Sequence, residues 1–206
     1  MPARVLLATR SAGKLRELRP MFAEAGVRVQ DLREAEIAEE PAEEGIEAFE
    51  TFEENARAKA RYFFARSGGV PVVAEDSGLE VSALGGAPGV RSKRWSARGD
   101  LSGVALDEAN NARLLARLAG AADRRARYVC VAVYWDGVRE ATARGETAGV
   151  IAERRHAGDG GFGYDPYFVS DELGRAFSEV TGVEKAAVSH RGRAVAALLK
   201  TLRGRG

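Results

Sequence analysis

The sequence predicts an α/β fold built on a mixed β-sheet. Apolar runs of strand length are interleaved with segments whose apolar residues recur at helical spacing. A hairpin signal at Asp136-Gly137 places two antiparallel strands in the second half, which a regularly alternating doubly wound domain would lack. The 206 residues, 45% of them hydrophobic, are enough for one domain or one domain with a lobe.

The first element is a strand over residues 5–7, an apolar run followed by a loop of small residues. Leu15, Leu18 and Phe22 then recur at helical spacing and predict a helix. Residues 34–50 are dense in glutamate, which indicates a solvated and mobile stretch.

A second helix is expected from Thr51 to about residue 65, because Thr51 and Glu54 fit a capping box. A turn is expected at Glu75-Asp76-Ser77-Gly78, a third helix around Leu106–Leu118, and a last helix over residues 189–202. The other expected strands cover residues 70–74, 79–81, 126–135, 138–144, 149–152 and 166–169.

Composition excludes several classes of protein. Lys and Arg total 31 against 30 Asp and Glu, a net charge of +1, which argues against a nucleic-acid or membrane-surface partner. Cys130 is the single cysteine, so no internal disulfide can form and a cytoplasmic location is expected. No stretch approaches a membrane span.

Five segments could carry chemistry, and the first is the loop that precedes the first helix. It consists of Thr9, Arg10, Ser11, Ala12, Gly13 and Lys14. Small residues at a helix N-terminus can bind phosphate, and Lys14 adds a charge that phosphate would compensate. It is not a Walker A loop, since Ala8 replaces the first glycine and Leu15 the Ser or Thr. An ordinary turn with Ser11 as N-cap is the alternative.

The second and third segments are the Thr51 helix and the carboxylates that follow the 70–74 strand. Asn55 and Lys59 are four residues apart and share a helix face, either toward a site or toward solvent. Adjacent strand residues point to opposite faces, so only one of Glu75 and Asp76 is expected to enter a site. Asp76 is our candidate ligand of Mg²⁺, and a simple Asp/Ser/Gly turn is the alternative.

The remaining two segments lie near the C-terminus. Gly160–Pro166 surrounds Phe162 and Tyr164 with three glycines, so the rings could stack on a base or merely anchor a turn. His190, Arg191 and Arg193 crowd the positive end of the last helix, which a bound anion or a carbonyl-rich ligand would explain.

Together these segments resemble the inosine/xanthosine triphosphate pyrophosphatase family. The motifs that carry the resemblance are residues 8–17 (ATRSAGKLRE), 51–56 (TFEENA), 75–79 (EDSGL), 84–89 (LGGAPG), 161–166 (GFGYDP) and 189–192 (SHRG). Each is weak alone, but they occur in family order along nearly the whole chain. Ser11 departs from the family, which usually has Asn there, and so puts the contact of that side chain in question.

The resemblance implies a single nucleotide pyrophosphatase domain over residues 1–206, with an elongated mixed sheet, flanking helices and two lobes around a central cleft. It also implies a homodimer. The activity implied is Mg²⁺-dependent hydrolysis of ITP, dITP and XTP between the α- and β-phosphates, which would cleanse the nucleotide pool.

Residue roles follow from the same resemblance. Asp76 would be the proton acceptor and a metal ligand, and a second ligand is expected among Glu43, Glu44 and Glu47, with Glu47 our choice. The implied substrate contacts are Thr9, Arg10, Ser11, Ala12, Gly13, Lys14, Asn55, Lys59, Ser77, Phe162, Gly163, Tyr164, Asp165, Lys185, His190 and Arg191. The alternatives are a Maf-like nucleotide pyrophosphatase and a non-catalytic nucleotide-binding module.

Overall fold

The computed structural model describes residues 2–204, and a six-stranded sheet organises them in the strand order β2-β1-β3-β4-β5-β6. The strands are β1 (Arg4–Leu7), β2 (Arg28–Asp31), β3 (Val72–Val81), β4 (Arg125–Trp135), β5 (Glu140–Ile151) and β6 (Phe168–Ser170). The helices are α1 (Ala12–Glu24), α2 (Phe52–Arg66), α3 (Gly103–Arg117), α4 (Gly182–Val188) and α5 (His190–Arg203). β1 pairs in parallel with β2 and β3, whereas β5 and β6 are antiparallel. The predicted α/β fold with a mixed sheet is therefore confirmed.

The chain divides into two compact units. The first unit takes in the described residues up to Asp76, Cys130–Gly145, and the described residues from Arg191 onward. Its core packs apolar residues of β1 with Phe22 of α1 and Leu198 of α5. None of the helices in residues 2–204 combines the length and apolar character that a membrane crossing requires.

The second unit consists of Ser77–Val129 and Glu146–His190. Its core is aromatic. The rings of Tyr128, Phe168 and Phe177 lie 4.6 to 6.1 Å apart and pack with Leu79 and Leu114. Such ring separations are typical of favourable aromatic pairs.

Local signals correctly placed the starts of α1 and α2 and the hairpin turn. The Ser11 hydroxyl accepts a hydrogen bond from the Lys14 amide and caps α1, and Thr51 caps α2 in the same way. At the predicted hairpin between β4 and β5, Gly137 has a φ of 94° and the Asp136 carboxylate accepts from the amides of Val138 and Arg139.

Two predicted breaks are wrong. Glu75-Asp76-Ser77-Gly78 does not turn but continues β3, and β5 is one strand where two were expected. Each of β3 and β5 has buried residues both before and after the predicted break. The free energy gained by burial therefore outweighs the local preference for a turn. β2 and α4 were not predicted.

The glutamate-rich stretch contains a 3₁₀ turn at Pro41–Gly45. Glu43 accepts two hydrogen bonds of 2.6 Å from Arg10, and Glu40 forms an ion pair of 2.5 Å with Arg66. These contacts tie the stretch, which was expected to be solvated and mobile, to the loop before α1 and to α2.

Candidate active site

The predicted phosphate loop forms the entry to α1. Ser11 caps the helix, its amide donates to Thr9 Oγ1 at 3.2 Å, and Ala12 and Gly13 are the first residues of the helix. Arg10 turns toward Glu43 and the Ile37 carbonyl oxygen. Lys14 instead points to the Glu75 carboxylate, with its Nζ 2.8 Å from Oε1. The loop therefore places one cation, Lys14, beside the carboxylates of β3.

Glu75 is the centre of a buried charge cluster in the first unit. Only 2% of the residue is exposed, and its carboxylate faces Lys14 and the Arg191 guanidinium, whose Nε lies 3.5 Å away. Arg191 also pairs with Glu17 of α1. Burial alone would raise the pKa of Glu75, but Arg191 and Lys14 hold it well below its usual range. Glu75 therefore stays ionised and fixes both cations.

Asp76, the next residue of β3, has the opposite character. Asn55 Nδ2 donates to its Oδ2 at 3.1 Å, and burial raises the pKa of Asp76 although Lys59 and Lys14 oppose that shift. Lys59 Nζ donates to the Glu75 carbonyl oxygen at 3.1 Å, which holds this lysine at the carboxylate pair. Two neighbouring carboxylates thus have pKa values moved in opposite directions, which is typical of catalytic sites.

Among the three glutamates considered as a second ligand, Glu47 is the one beside Asp76. It forms an ion pair with Lys59, and its charge helps to raise the pKa of Asp76. Glu43 is held by Arg10 and Glu44 is exposed. In residues 2–204 no three His, Cys, Asp or Glu side chains gather as a metal cage.

Gly160–Pro166, called here the Phe162 loop, is organised in the second unit by Asp165. Its carboxylate accepts from the Phe162 amide and from Lys185 Nζ, both at 2.6 Å, and from the Tyr128 hydroxyl at 3.3 Å. Gly161 has a φ of 73°, and a Cβ there would lie 2.2 Å from Asp165 Oδ2, so only glycine fits.

The rings of the second unit take separate roles. Phe162 is half-buried, with Lys185 Nζ 5.3 Å from its ring centroid. Tyr164 is buried, and its hydroxyl donates to the Ser92 carbonyl oxygen at 2.8 Å, so it anchors the loop in the core. The His190 ring stacks on Tyr128 with centroids 4.5 Å apart and planes at 8°.

A family model described as the Ham1 family matches residues 5–201. The chain belongs to the Ham1 family. It is 45% identical to a dITP/XTP pyrophosphatase of Ralstonia nicotianae over 97% of this chain and 96% of that protein. It is 48% identical to one of Nocardia farcinica, with 97% and 95% covered. A HAM1 protein structure from Coxiella burnetii matches with a TM-score of 0.82 at 30% identity, over 98% of this chain and all of that one.

In this Ham1-family chain the residues predicted from sequence fall into two groups. The first unit contains Lys14, Glu47, Asn55, Lys59, Asp76 and Arg191. The second unit contains Phe162, Gly163, Tyr164, Asp165, Lys185 and His190. Ser77 follows Asp76 in β3 and is half-buried. Arg10 contacts Glu43 rather than the Glu75–Asp76 pair.

Sequence reasoning missed Glu75 and Tyr128. Lys14 and Arg191 were taken as cations awaiting a ligand, and the carboxylate that compensates both was set aside in favour of its neighbour. Three predicted cations in one site require a buried counter-charge, and that requirement was the signal for Glu75. Tyr128 gave none, because a tyrosine within an apolar strand is ordinary core.

Proposed function

We propose that this chain hydrolyses non-standard purine nucleoside triphosphates, namely ITP, dITP and XTP, to the monophosphate and pyrophosphate. The observation that carries the proposal is the Glu75–Asp76 pair with Lys14 and Lys59 around it, in a chain 45% to 48% identical to dITP/XTP pyrophosphatases. In this proposal residues 1–206 act as one domain with two lobes, as a cytoplasmic homodimer.

Asp76 is the proton acceptor of the proposed reaction. A water oxygen attacks the α-phosphorus as the bond to the oxygen that bridges to the β-phosphorus breaks, so pyrophosphate leaves. The water proton passes to Asp76, whose raised pKa suits a general base better than that of an ordinary aspartate. Asn55 fixes the direction of the Asp76 carboxylate.

The donor set suits a magnesium ion. Mg²⁺ prefers oxygen ligands and is commonly held by one or two carboxylates together with substrate phosphates, and Asp76 and Glu47 would supply them. When bound, the ion would neutralise charge that develops on the phosphates. Lys14 and Lys59 would do the same from this chain's own residues, since each already faces a carboxylate that phosphate oxygens could share.

Recognition of the base is assigned to Arg191 and to the second unit. Arg191 would donate to a 6-oxo group, whereas the amino group of adenine would face it with another donor, at a cost of about 1–3 kcal/mol. Phe162, Lys185 and His190 would hold the base and sugar. Thr9, Ser11, Ala12, Gly13 and Ser77 remain proposed contacts.

The test is to incubate the protein with dITP, XTP, dGTP and dATP, with and without Mg²⁺, and to measure pyrophosphate and orthophosphate. We expect metal-dependent pyrophosphate release from dITP and XTP, little from dATP, and loss of release in Asp76→Asn. Asp171→Asn is the matched control, because Asp171 is exposed. Orthophosphate release would show that another bond is cleaved. Binding without turnover would favour a non-catalytic nucleotide-binding module.

The same preparation tests the assembly. Light scattering coupled to size exclusion should give twice the mass of the 22.0 kDa chain. A mass of one chain would contradict the homodimer and leave the proposed activity untouched.

A further inference from the structure

Gly163, in the Phe162 loop, is hydrogen-bonded to helix α3 through both its amide and its carbonyl oxygen. Its amide donates to Asp107 Oδ2 and its carbonyl oxygen accepts from Asn111 Nδ2, each at 2.9 Å. Asp107 and Asn111 are four residues apart, so they lie on one face of the helix. One helix face therefore fixes both polar backbone atoms of a single loop residue.

The contact between Asn111 and Gly163 has an energetic cost, which argues that it is not incidental. Asn111 is 5% exposed, and its Oδ1 is buried without a hydrogen-bond partner among the described residues. A buried acceptor without a partner is unfavourable. The amide is nevertheless held with its nitrogen toward Gly163, whose φ of 63° only glycine adopts readily.

These contacts act on the half-buried ring of Phe162. The Phe162 amide is fixed by Asp165, and the next residue is fixed by Asp107 and Asn111. With the backbone set on both sides, the direction of the Phe162 side chain depends on its rotamer alone.

We propose that Asp107 and Asn111 are positioning residues that present Phe162 to the purine base. The inference rests on the proposed function, in which Phe162 contacts the base. It adds that recognition of the base depends on α3, a helix that none of the sequence motifs singled out.

Gly163 is the donor in its contact with Asp107 and the acceptor in its contact with Asn111. The two contacts are therefore broken by different substitutions. Asp107→Asn keeps an oxygen that can accept from the Gly163 amide, whereas Asp107→Ala removes it. Asn111→Asp removes the donor and sets a carboxylate against the Gly163 carbonyl oxygen. Glu108→Gln is the control, an exposed acid on the same helix.

The experiment measures KM and kcat for dITP and the inhibition constant of inorganic tripolyphosphate, which has no base. We expect Asp107→Ala and Asn111→Asp to raise KM about tenfold, the equivalent of one hydrogen bond. Their kcat and their inhibition constants for tripolyphosphate should stay within about twofold of the wild-type values. Asp107→Asn and Glu108→Gln should match wild type, and Phe162→Ala should reproduce the rise in KM.

Three results would overturn the inference while the wild type still hydrolyses dITP. One is an unchanged KM in both Asp107→Ala and Asn111→Asp. Another is a weakened inhibition by tripolyphosphate equal to the rise in KM, since a general loss of structure would affect both. The third is an Asp107→Asn variant as impaired as Asp107→Ala.

Failure of the wild type to hydrolyse dITP would instead refute the proposed function. If Asn111→Asp does not fold, the Asp107 pair decides alone.

Discussion

Asn55 Nδ2 donates a hydrogen bond to Asp76 Oδ2 at 3.1 Å, and both side chains are buried. The Asn55 amide is itself fixed, because its Oδ1 accepts from the Phe49 amide at 2.9 Å and its Nδ2 also donates to the Phe49 carbonyl oxygen at 3.2 Å. A fixed amide can hold one carboxylate oxygen and so set the direction of the other. The sequence predicted a substrate contact for Asn55, and the geometry supports a role that acts through Asp76.

We predict that Asn55→Ala lowers kcat for dITP about tenfold to hundredfold, since small misplacements of a catalytic group can cost that much. Asn55→Asp should be at least as impaired, because a second carboxylate would face Asp76. Steady-state kinetics would measure both, with Glu53→Gln on the exposed side of α2 as the control. An Asn55→Ala variant with normal kcat and raised KM would favour the substrate contact instead.

The acid limb of the pH profile should respond to Lys59. Burial raises the pKa of Asp76 and Lys59 lowers it, so loss of the lysine charge should raise that pKa further. The ionised form of a carboxylate, which is the form that can accept a proton, is lost as pH falls through its pKa. We therefore expect the acid limb of kcat/KM in Lys59→Gln to move to higher pH.

Arg61→Gln is the matched control for that experiment. Arg61 lies on the same helix, is exposed and pairs with Glu140. An acid limb at the same pH in Lys59→Gln and wild type would assign the limb to a group other than Asp76.

What the sequence predicted well was local. Ser11 and Thr51 cap helices through bonds that span three residues, and Asp136-Gly137 turns within its own hairpin. Glu75 was missed because its partners Lys14 and Arg191 come from distant parts of the chain. The turn at Glu75-Asp76-Ser77-Gly78 was wrongly predicted for the same reason, because strand pairing and burial outweigh the local preference there.

Glu75 should be a major source of stability. Removal of one partner from a buried ion pair typically costs about 3–5 kcal/mol, and Glu75→Gln would leave Lys14 and Arg191 without their shared counter-charge. We expect a loss of that order in the free energy of unfolding at pH 7, measured by urea denaturation. Glu44→Gln, an exposed change in the same unit, should lose less than about 0.5 kcal/mol.

The pH dependence of that loss follows from linkage. The folded-state pKa of Glu75 is depressed, so its contribution is complete above the pKa of the unfolded chain, about 4.3, and declines as pH falls toward the folded value. The difference in unfolding free energy between wild type and Glu75→Gln should therefore be smaller at pH 3 than at pH 7. A difference that grows with acid would contradict the depressed pKa.

Gly149 tests the packing of β5 on β6. It pairs with Ser170, and a Cβ there would lie 2.3 Å from the Val169 carbonyl oxygen and 2.7 Å from Phe168 Cζ. The carbonyl belongs to the paired strand and cannot move without breaking the ladder, so Gly149→Ala should cost about 1–3 kcal/mol of unfolding free energy. Gly182→Ala is the control, since nothing lies within 4 Å of its Cβ position and its φ is not positive. Equal stabilities of the two variants in urea would show that β5 and β6 separate readily enough to admit a methyl group.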